Sequence, residues 1–190
     1  DYTLSRGLGD VYKRQTDLYH PCQILADLMT FNEERGHLEI EKVCWIGDGN
    51  NVCNSYIEAA AKLNFQMSIF CPKGYEPHHS LMKDYKNFIS ITSSKEEALE
   101  GAQIVTTDVW TSMNDETNNA DRKKTFKGFF IEEKDMEKAN PNAIFLHCLP
   151  AHRGEEISHN MLEHPSSKVW QQAENRLHVQ QSLLESLLAN

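Results

Sequence analysis

Short apolar blocks alternate along this chain with stretches whose apolar positions recur every three or four residues. Pro21 opens a helix running to about Arg35, with Ile24, Leu25, Leu28 and Met29 on one face, and Thr16 or Asp17 can cap the turn before it. Lys42 to Ile46 reads as a strand that enters a Gly47-Asp48-Gly49 turn, followed by a helix from about Val52 to Leu63. Further strands are expected at Met67 to Cys71, Phe88 to Thr92 and Gln103 to Thr107, with helices at Pro77 to Asn87 and Ser94 to Leu99. The polar stretch Asn114 to Lys127 reads as a loop plus a surface helix, long enough to close over a substrate. Ala143 to Leu146, between Asn-Pro-Asn and Pro150, reads as a strand buried on both faces. Ala173 to Leu188 reads as an amphipathic helix with Leu177, Leu184, Leu187 and Leu188 on its buried side. Strands alternating with helices predict an α/β fold: a doubly wound, mainly parallel sheet with helices on both faces.

In such sheets ligands bind beyond the carboxyl ends of the strands. Three predicted strands end in polar groups there: Asn50-Asn51, Asp108 through Thr111, Ser112 and Met113, and His147-Cys148 with the Leu149 carbonyl held by Pro150. Each alone has a plain alternative. Asparagines tolerate left-handed turns, and most free cysteines are buried structural thiols. Together a carboxylate, carboxamides, a hydroxyl and a thiol form a receptor for a zwitterionic amino acid, with Asp108 for an ammonium, Asn51 for a carboxylate and Cys148 deeper. His20 and Gln23 share one face at a helix start, where they could meet a carbonyl oxygen and an amide nitrogen. A His-x-x-Gln pair describes a solvated helix start as readily.

Composition narrows the partners. The net charge of -9, with no long basic run, argues against nucleic acid and membrane surfaces. The 190 residues can bury one domain, or one domain and part of another. Five cysteines without C-x-x-C spacing suggest neither a disulfide framework nor a zinc knuckle, which places the protein in a reducing, cytoplasmic setting. His147, Cys148 and His152 are poorly spaced for a metal, so no metal is expected. Residues 1–15 are locally basic, follow no period, and read as a poorly ordered leader outside the fold.

In order along the chain, His20-Pro21-Cys22-Gln23, Asp48-Gly49-Asn50-Asn51, Asp108-Val109-Trp110-Thr111-Ser112-Met113, His147-Cys148-Leu149-Pro150 and Ala173-Glu174-Asn175-Arg176 resemble the successive motifs of the ornithine carbamoyltransferase family. The resemblance runs from about Thr16 to the C-terminus. It implies transfer of the carbamoyl group of carbamoyl phosphate to the δ-amine of L-ornithine, giving citrulline and phosphate without cofactor or metal, in a homotrimer. It further implies that His20 and Gln23 hold the carbamoyl group, with Arg176 and the backbone at Cys148 and Leu149. Asn51, Asp108, Ser112 and Met113 would hold the α-carboxylate and α-amine of ornithine, and Cys148 with Asp108 would orient and deprotonate the δ-amine. His20, Arg176, Asp108 and Cys148 are thus the implied catalytic set.

The resemblance also divides the chain. Residues 16–36 would be the remnant of a carbamoyl-phosphate domain and the linking helix. Residues 37–172 would be the ornithine-binding domain, and 173–190 a helix returning to a domain not in this sequence. The family's Ser-x-Arg-Thr phosphate loop is missing, so the chain alone is expected to be inactive, to be monomeric or to aggregate through exposed surface, and to expose the apolar stripe of its last helix. Asn114 replaces the family's usual glycine, which bears on amine selectivity. Alternatives are another amine substrate (acylated ornithine or putrescine), a non-catalytic paralogue, and a nicotinamide-dependent dehydrogenase using the Gly47 turn. Against the last, Val52 stands where G-x-G-x-x-G needs its third glycine.

Overall fold

A computed structural model describes residues 16–110 and 119–189. Five parallel strands form one sheet: β1 (Lys42–Ile46), β2 (Gln66–Phe70), β3 (Ile89–Ile91), β4 (Ile104–Thr107) and β5 (Ile144–His147), in the order β3-β2-β1-β4-β5. Among the described residues six α-helices accompany them: α1 (Pro21–Arg35), α2 (Asn51–Leu63), α3 (His79–Asp84), α4 (Lys95–Leu99), α5 (Asn119–Phe126) and α6 (Val169–Leu188). The chain winds outward from β1 through β2 to β3, then returns to the other side of β1 at β4. The switch point therefore lies between β1 and β4, where a doubly wound sheet opens its ligand crevice.

Alternation along the strands sorts side chains into two cores. Val43, Trp45, Met67, Ile69, Ile104, Ile144 and Leu146 pack on one face with α1 and α2. Cys44, Ile46, Val105 and Phe145 pack on the other with α4 and the loops around β5. Because β1, β4 and β5 are covered on both faces, nearly all of their residues are buried without alternation, Thr106 and Thr107 included. β1 is fixed to β2 from Lys42 opposite Gln66 to Ile46 opposite Phe70, and to β4 from Val43 opposite Ile104. That register brings the ends of β1, β4 and β5 to one edge.

Several expected boundaries move. The helix expected over Pro77 to Asn87 is only α3, because His78 is the residue before its first turn and the chain unwinds at Tyr85. The last helix begins at Val169 rather than Ala173, so the boundary expected at 173 falls inside α6. Its first turns hold buried Val169, which joins the core around Phe145, and buried Gln172 and Asn175, which face α1. Leu177, Leu184, Leu187 and Leu188, the apolar side of the sequence reading, are at least half exposed. They are uncovered in this chain, as expected if their partner lies elsewhere. Residues 1–15 lie outside the described residues.

Candidate functional site

At the switch point the turns after β1 and β4 lean on each other. Asn50 Nδ2 donates to Asp108 Oδ2 at 2.5 Å. The same side chain caps α2 through Oδ1, which accepts from Val52 N at 3.0 Å and Cys53 N at 3.1 Å. The helix N-terminus that could have held an anion is thus closed by its own residue. Gly49 is required by crowding: a Cβ there would lie 2.3 Å from Pro77 N, and its N–H already donates to Tyr75 O. The close approach that this glycine permits is to the chain itself, not to a pyrophosphate, which removes the physical basis of the dehydrogenase reading.

Asp108 Oδ1 accepts from Val109 N at 2.8 Å and from Cys148 Sγ at 2.9 Å, across to the end of β5. Burial, then the Asp108 charge and this hydrogen bond, push the Cys148 thiol well above its ordinary value. Cys148 is therefore a thiol that donates, not a thiolate base. The carboxylate of Asp108 is thus held from three sides at the carboxyl edge of the sheet.

His147, expected to point at the substrate, does not. It is 1% exposed, and its Nδ1 accepts from Leu149 N at 3.0 Å. Its Nε2 faces fully buried Glu156 Oε1 at 3.3 Å. Glu156 also accepts from His152 N. The imidazole braces the turn after β5, and because Leu149 N is taken by it, only the Leu149 carbonyl is left for a ligand. Atoms of Asp108, His147 and Cys148 lie within 4.8 Å of one another, as do those of His152, Glu155 and Glu156. In the first group the thiol and carboxylate already bond each other, Nδ1 of His147 is taken by Leu149 N, and its Nε2 faces Glu156 rather than Asp108, so the donor set does not fit a metal ion.

A second polar cluster lies between α1 and α6. His20 ends the segment before α1, with its N–H donating to Ser55 Oγ at 2.7 Å. Arg176 of α6 sets Nη1 3.4 Å from His20 Nε2 and donates to Gln23 Oε1. His20, Gln23 and Arg176 are thus brought together from positions more than 150 residues apart in sequence. Beneath them, Asp27 Oδ1 accepts from Gln23 Nε2 at 2.8 Å and Gln172 Nε2 at 2.5 Å, and Oδ2 from Tyr56 Oη at 2.6 Å. Burial raises this carboxyl to about 6, opposed by those hydrogen bonds and the Arg176 charge. Asp27 and Arg176 both act electrostatically on Cys148, so the two clusters border one another.

Of the other residues singled out by sequence, Asn51 turns away from Asp108 and donates Nδ2 to Thr16 O at 2.8 Å. The carboxamide that meets Asp108 is Asn50. Ser112, Met113 and Asn114 lie outside the described residues. Flanking that segment, Arg122 of α5 donates to Trp110 O and to Asp48 Oδ2, and lies over the rings of Tyr75 and Phe126 at 4.8 Å and 5.1 Å. Sequence reasoning passed over Asp27, Tyr56, Glu156, Arg122 and Gln172. Only Asp27 carried a usable signal, four residues after Gln23 on one helix face.

A parallel sheet with its switch point flanked by a carboxylate and a carboxamide, and with a thiol at the next strand end, defines a doubly wound α/β domain with polar groups gathered where such sheets bind ligands. Residues 40–187 match the family model "Aspartate/ornithine carbamoyltransferase, Asp/Orn binding domain", and the chain belongs to that family. It is 50% identical over 173 residues to the ornithine carbamoyltransferase of Acinetobacter baumannii (strain AYE), covering 91% of this chain and 56% of that protein. It is likewise 50% identical to that of Halorhodospira halophila, covering 91% of this chain and 58% of that protein. Among solved structures, the anabolic ornithine carbamoyltransferase of Campylobacter jejuni superposes with a TM-score of 0.82 at 41% identity, over 90% of this chain and 59% of that one. The Thermus thermophilus enzyme gives 0.81 at 41% identity, over 90% and 56%. The chain spans somewhat more than half the length of the curated relatives it matches.

Proposed function

We propose that this chain carries the amine-binding part of an ornithine carbamoyltransferase, which moves the carbamoyl group of carbamoyl phosphate to the δ-amine of L-ornithine. The observation that carries the reading is the Asn50–Asp108–Cys148 junction at the switch point: a braced carboxylate at the carboxyl edge of the sheet, with a thiol that donates to it. An alkyl ammonium with a pKa of about 10.4 must lose a proton before it can attack a carbonyl carbon. Asp108 accepts hydrogen bonds from the incoming ammonium groups, and Cys148, as a thiol, orients the δ-nitrogen. The proton leaves through the carboxylate or solvent rather than to sulfur.

His20, Gln23 and Arg176 face the carbamoyl group. As the amine adds, negative charge gathers on the carbonyl oxygen, where Arg176 and His20 stabilise it; one such donor contributes about 100-fold to 1,000-fold. Phosphate then departs and citrulline is left. Residues 16–36 and 173–190 belong with a carbamoyl-phosphate domain, 37–172 with ornithine, and Ser112, Met113 and Asn51 complete the ornithine contacts. The complete enzyme works as a homotrimer in the cytoplasm. Among the described residues no helix is long and apolar enough to cross a membrane.

The test is direct. Full-length protein supplied with carbamoyl phosphate and L-ornithine should form citrulline and phosphate in equal amounts. Carbamoylation of putrescine in preference to ornithine, or of neither, would overturn the assignment.

A further inference from the structure

Asp27 sits behind the α1–α6 cluster, 1% exposed, without facing the crevice itself. An ionised carboxylate only accepts hydrogen bonds, so the two carboxamides that meet Oδ1 must turn their NH2 groups toward it. Their carbonyl oxygens then point outward in fixed directions. Gln23 Oε1 accepts from Arg176, and Gln172 Oε1 accepts from His147 N at 3.0 Å, next to Cys148 at the end of β5. Were either amide reversed, an NH2 would face a guanidinium in the first case and a backbone N–H in the second. Both are donor against donor.

We infer that Asp27 is a positioning residue for the carbamoyl side of the site: by dictating the orientation of both carboxamides it aims Gln23 and Arg176, and it ties the end of β5 to the same anchor. Its consequence for catalysis rests on the carbamoyl-transfer reading; its geometry does not. Three elements meet at the one carboxylate: Gln23 on its own helix, Tyr56 from α2, and Gln172 from α6. Burial holds the carboxyl at about 6 despite these contacts, the mark of a charged group kept in place at some expense of stability.

The experiment compares Asp27→Leu, which removes the acceptor, with Asp27→Asn. The asparagine can keep an oxygen toward both carboxamides while turning its NH2 to the Tyr56 hydroxyl, which is able to accept. In the 190-residue chain, nitrogen-15 NMR should show the Gln23 and Gln172 side-chain amides as slowly exchanging pairs. Asp27→Leu should speed their exchange about tenfold or more, and Asp27→Asn should restore most of the protection. In full-length protein, Asp27→Leu should lower kcat/KM for carbamoyl phosphate about 100-fold, the scale of a misplaced catalytic group, with KM for ornithine moving far less. Asp27→Asn should recover a large part of that loss. If the leucine variant does not fold, Asp27→Ser, too short to reach both amides, takes its place with the same expectations. Unchanged amide exchange in the variant lacking the acceptor, or equal losses for Asn and Leu, would overturn the positioning role. A wild-type enzyme that does not carbamoylate ornithine would sink the function reading instead, and amide exchange would still decide the role of Asp27.

Discussion

The strand-end cluster and the helix-pair cluster border each other but are built on opposite plans. Asp108 and Cys148 directly follow strands fixed by ladder hydrogen bonds and Asn50 caps the helix after a third, so the sheet largely aims them. Gln23 and Arg176 stand on two helices that no ladder connects, with His20 just before the first, and a buried carboxylate beneath them anchors Gln23 and Gln172. The first cluster takes its precision from main-chain geometry, and the second from side-chain hydrogen bonds that a single substitution can redirect. A charged amine can be received by rigid acceptors, whereas a flat carbonyl needs donors at set angles. The two designs suit their proposed ligands.

The sharpest way to separate the clusters is to damage one and read both substrates. In full-length protein, Asp108→Asn removes one partner of a buried charge pair with bound substrate, a loss of roughly 2 to 5 kcal/mol. Ornithine affinity and the preference for ornithine over putrescine should both collapse, with carbamoyl phosphate handled nearly as before. Cys148→Ser should lower kcat and shift its pH profile while leaving that preference almost intact. Equal effects of the two on selectivity would erase the distinction drawn within the strand-end cluster. His20→Asn should weaken carbamoyl phosphate first, and an equal loss for ornithine would merge the two clusters.

A pH titration of stability probes the helix pair alone. Asp27 has a folded value of about 6 against an ordinary 3.8, so the folded state binds its proton more readily than the unfolded one. Its favourable contribution is present below the unfolded value and lost as pH rises through about 6, a change of about 3 kcal/mol. Denaturant unfolding of wild type and Asp27→Asn from pH 4 to 8 should show the variant gaining on wild type by that order as pH rises. A constant difference would mean that the carboxyl is not strained by burial.

Thiol chemistry reads the strand-end cluster at smaller cost to the molecule. With burial and Asp108 both raising it, Cys148 should alkylate slowly with iodoacetamide at pH 8, as followed by peptide mass spectrometry. Asp108→Asn should speed it, about tenfold for each unit by which the thiol falls. No acceleration would remove Asp108 as a cause. The smallest effect belongs to the outer half of α6. Leu184→Ala and Leu187→Ala should change the stability of this chain by no more than about 0.5 kcal/mol, and amides there should exchange rapidly. Strong protection would mean that the helix is held well beyond Arg176.

The strand-end cluster was readable from the chain because its cause is local. An apolar run that stops at Asn50, Asp108 or Cys148 marks a strand end, and parallel strands of similar length put their ends together. The same reasoning expected His147 to face the crevice, which it does not, and could not tell which of Asn50 and Asn51 meets Asp108. Which of two adjacent asparagines faces Asp108 depends on the turn, and Asn51 is drawn instead to Thr16 O. Likewise the fate of His147 was set by Glu156, nine residues on and buried through a loop with no period of its own.

By itself the sequence determined the alternation of strands and helices, the parallel sheet and the edge at which chemistry gathers, because hydrophobic period and turn residues act over a few positions. Through its family motifs it also pointed to His20, Gln23 and Arg176. Only the tertiary structure decided that Asp27 lies beneath those three, that α6 starts at Val169 and buries its polar Gln172 and Asn175 while exposing its leucines, and that Cys148 is a proton donor. Those outcomes depend on which groups meet across 145 residues of chain and on how much water is removed around them, quantities that no local pattern encodes.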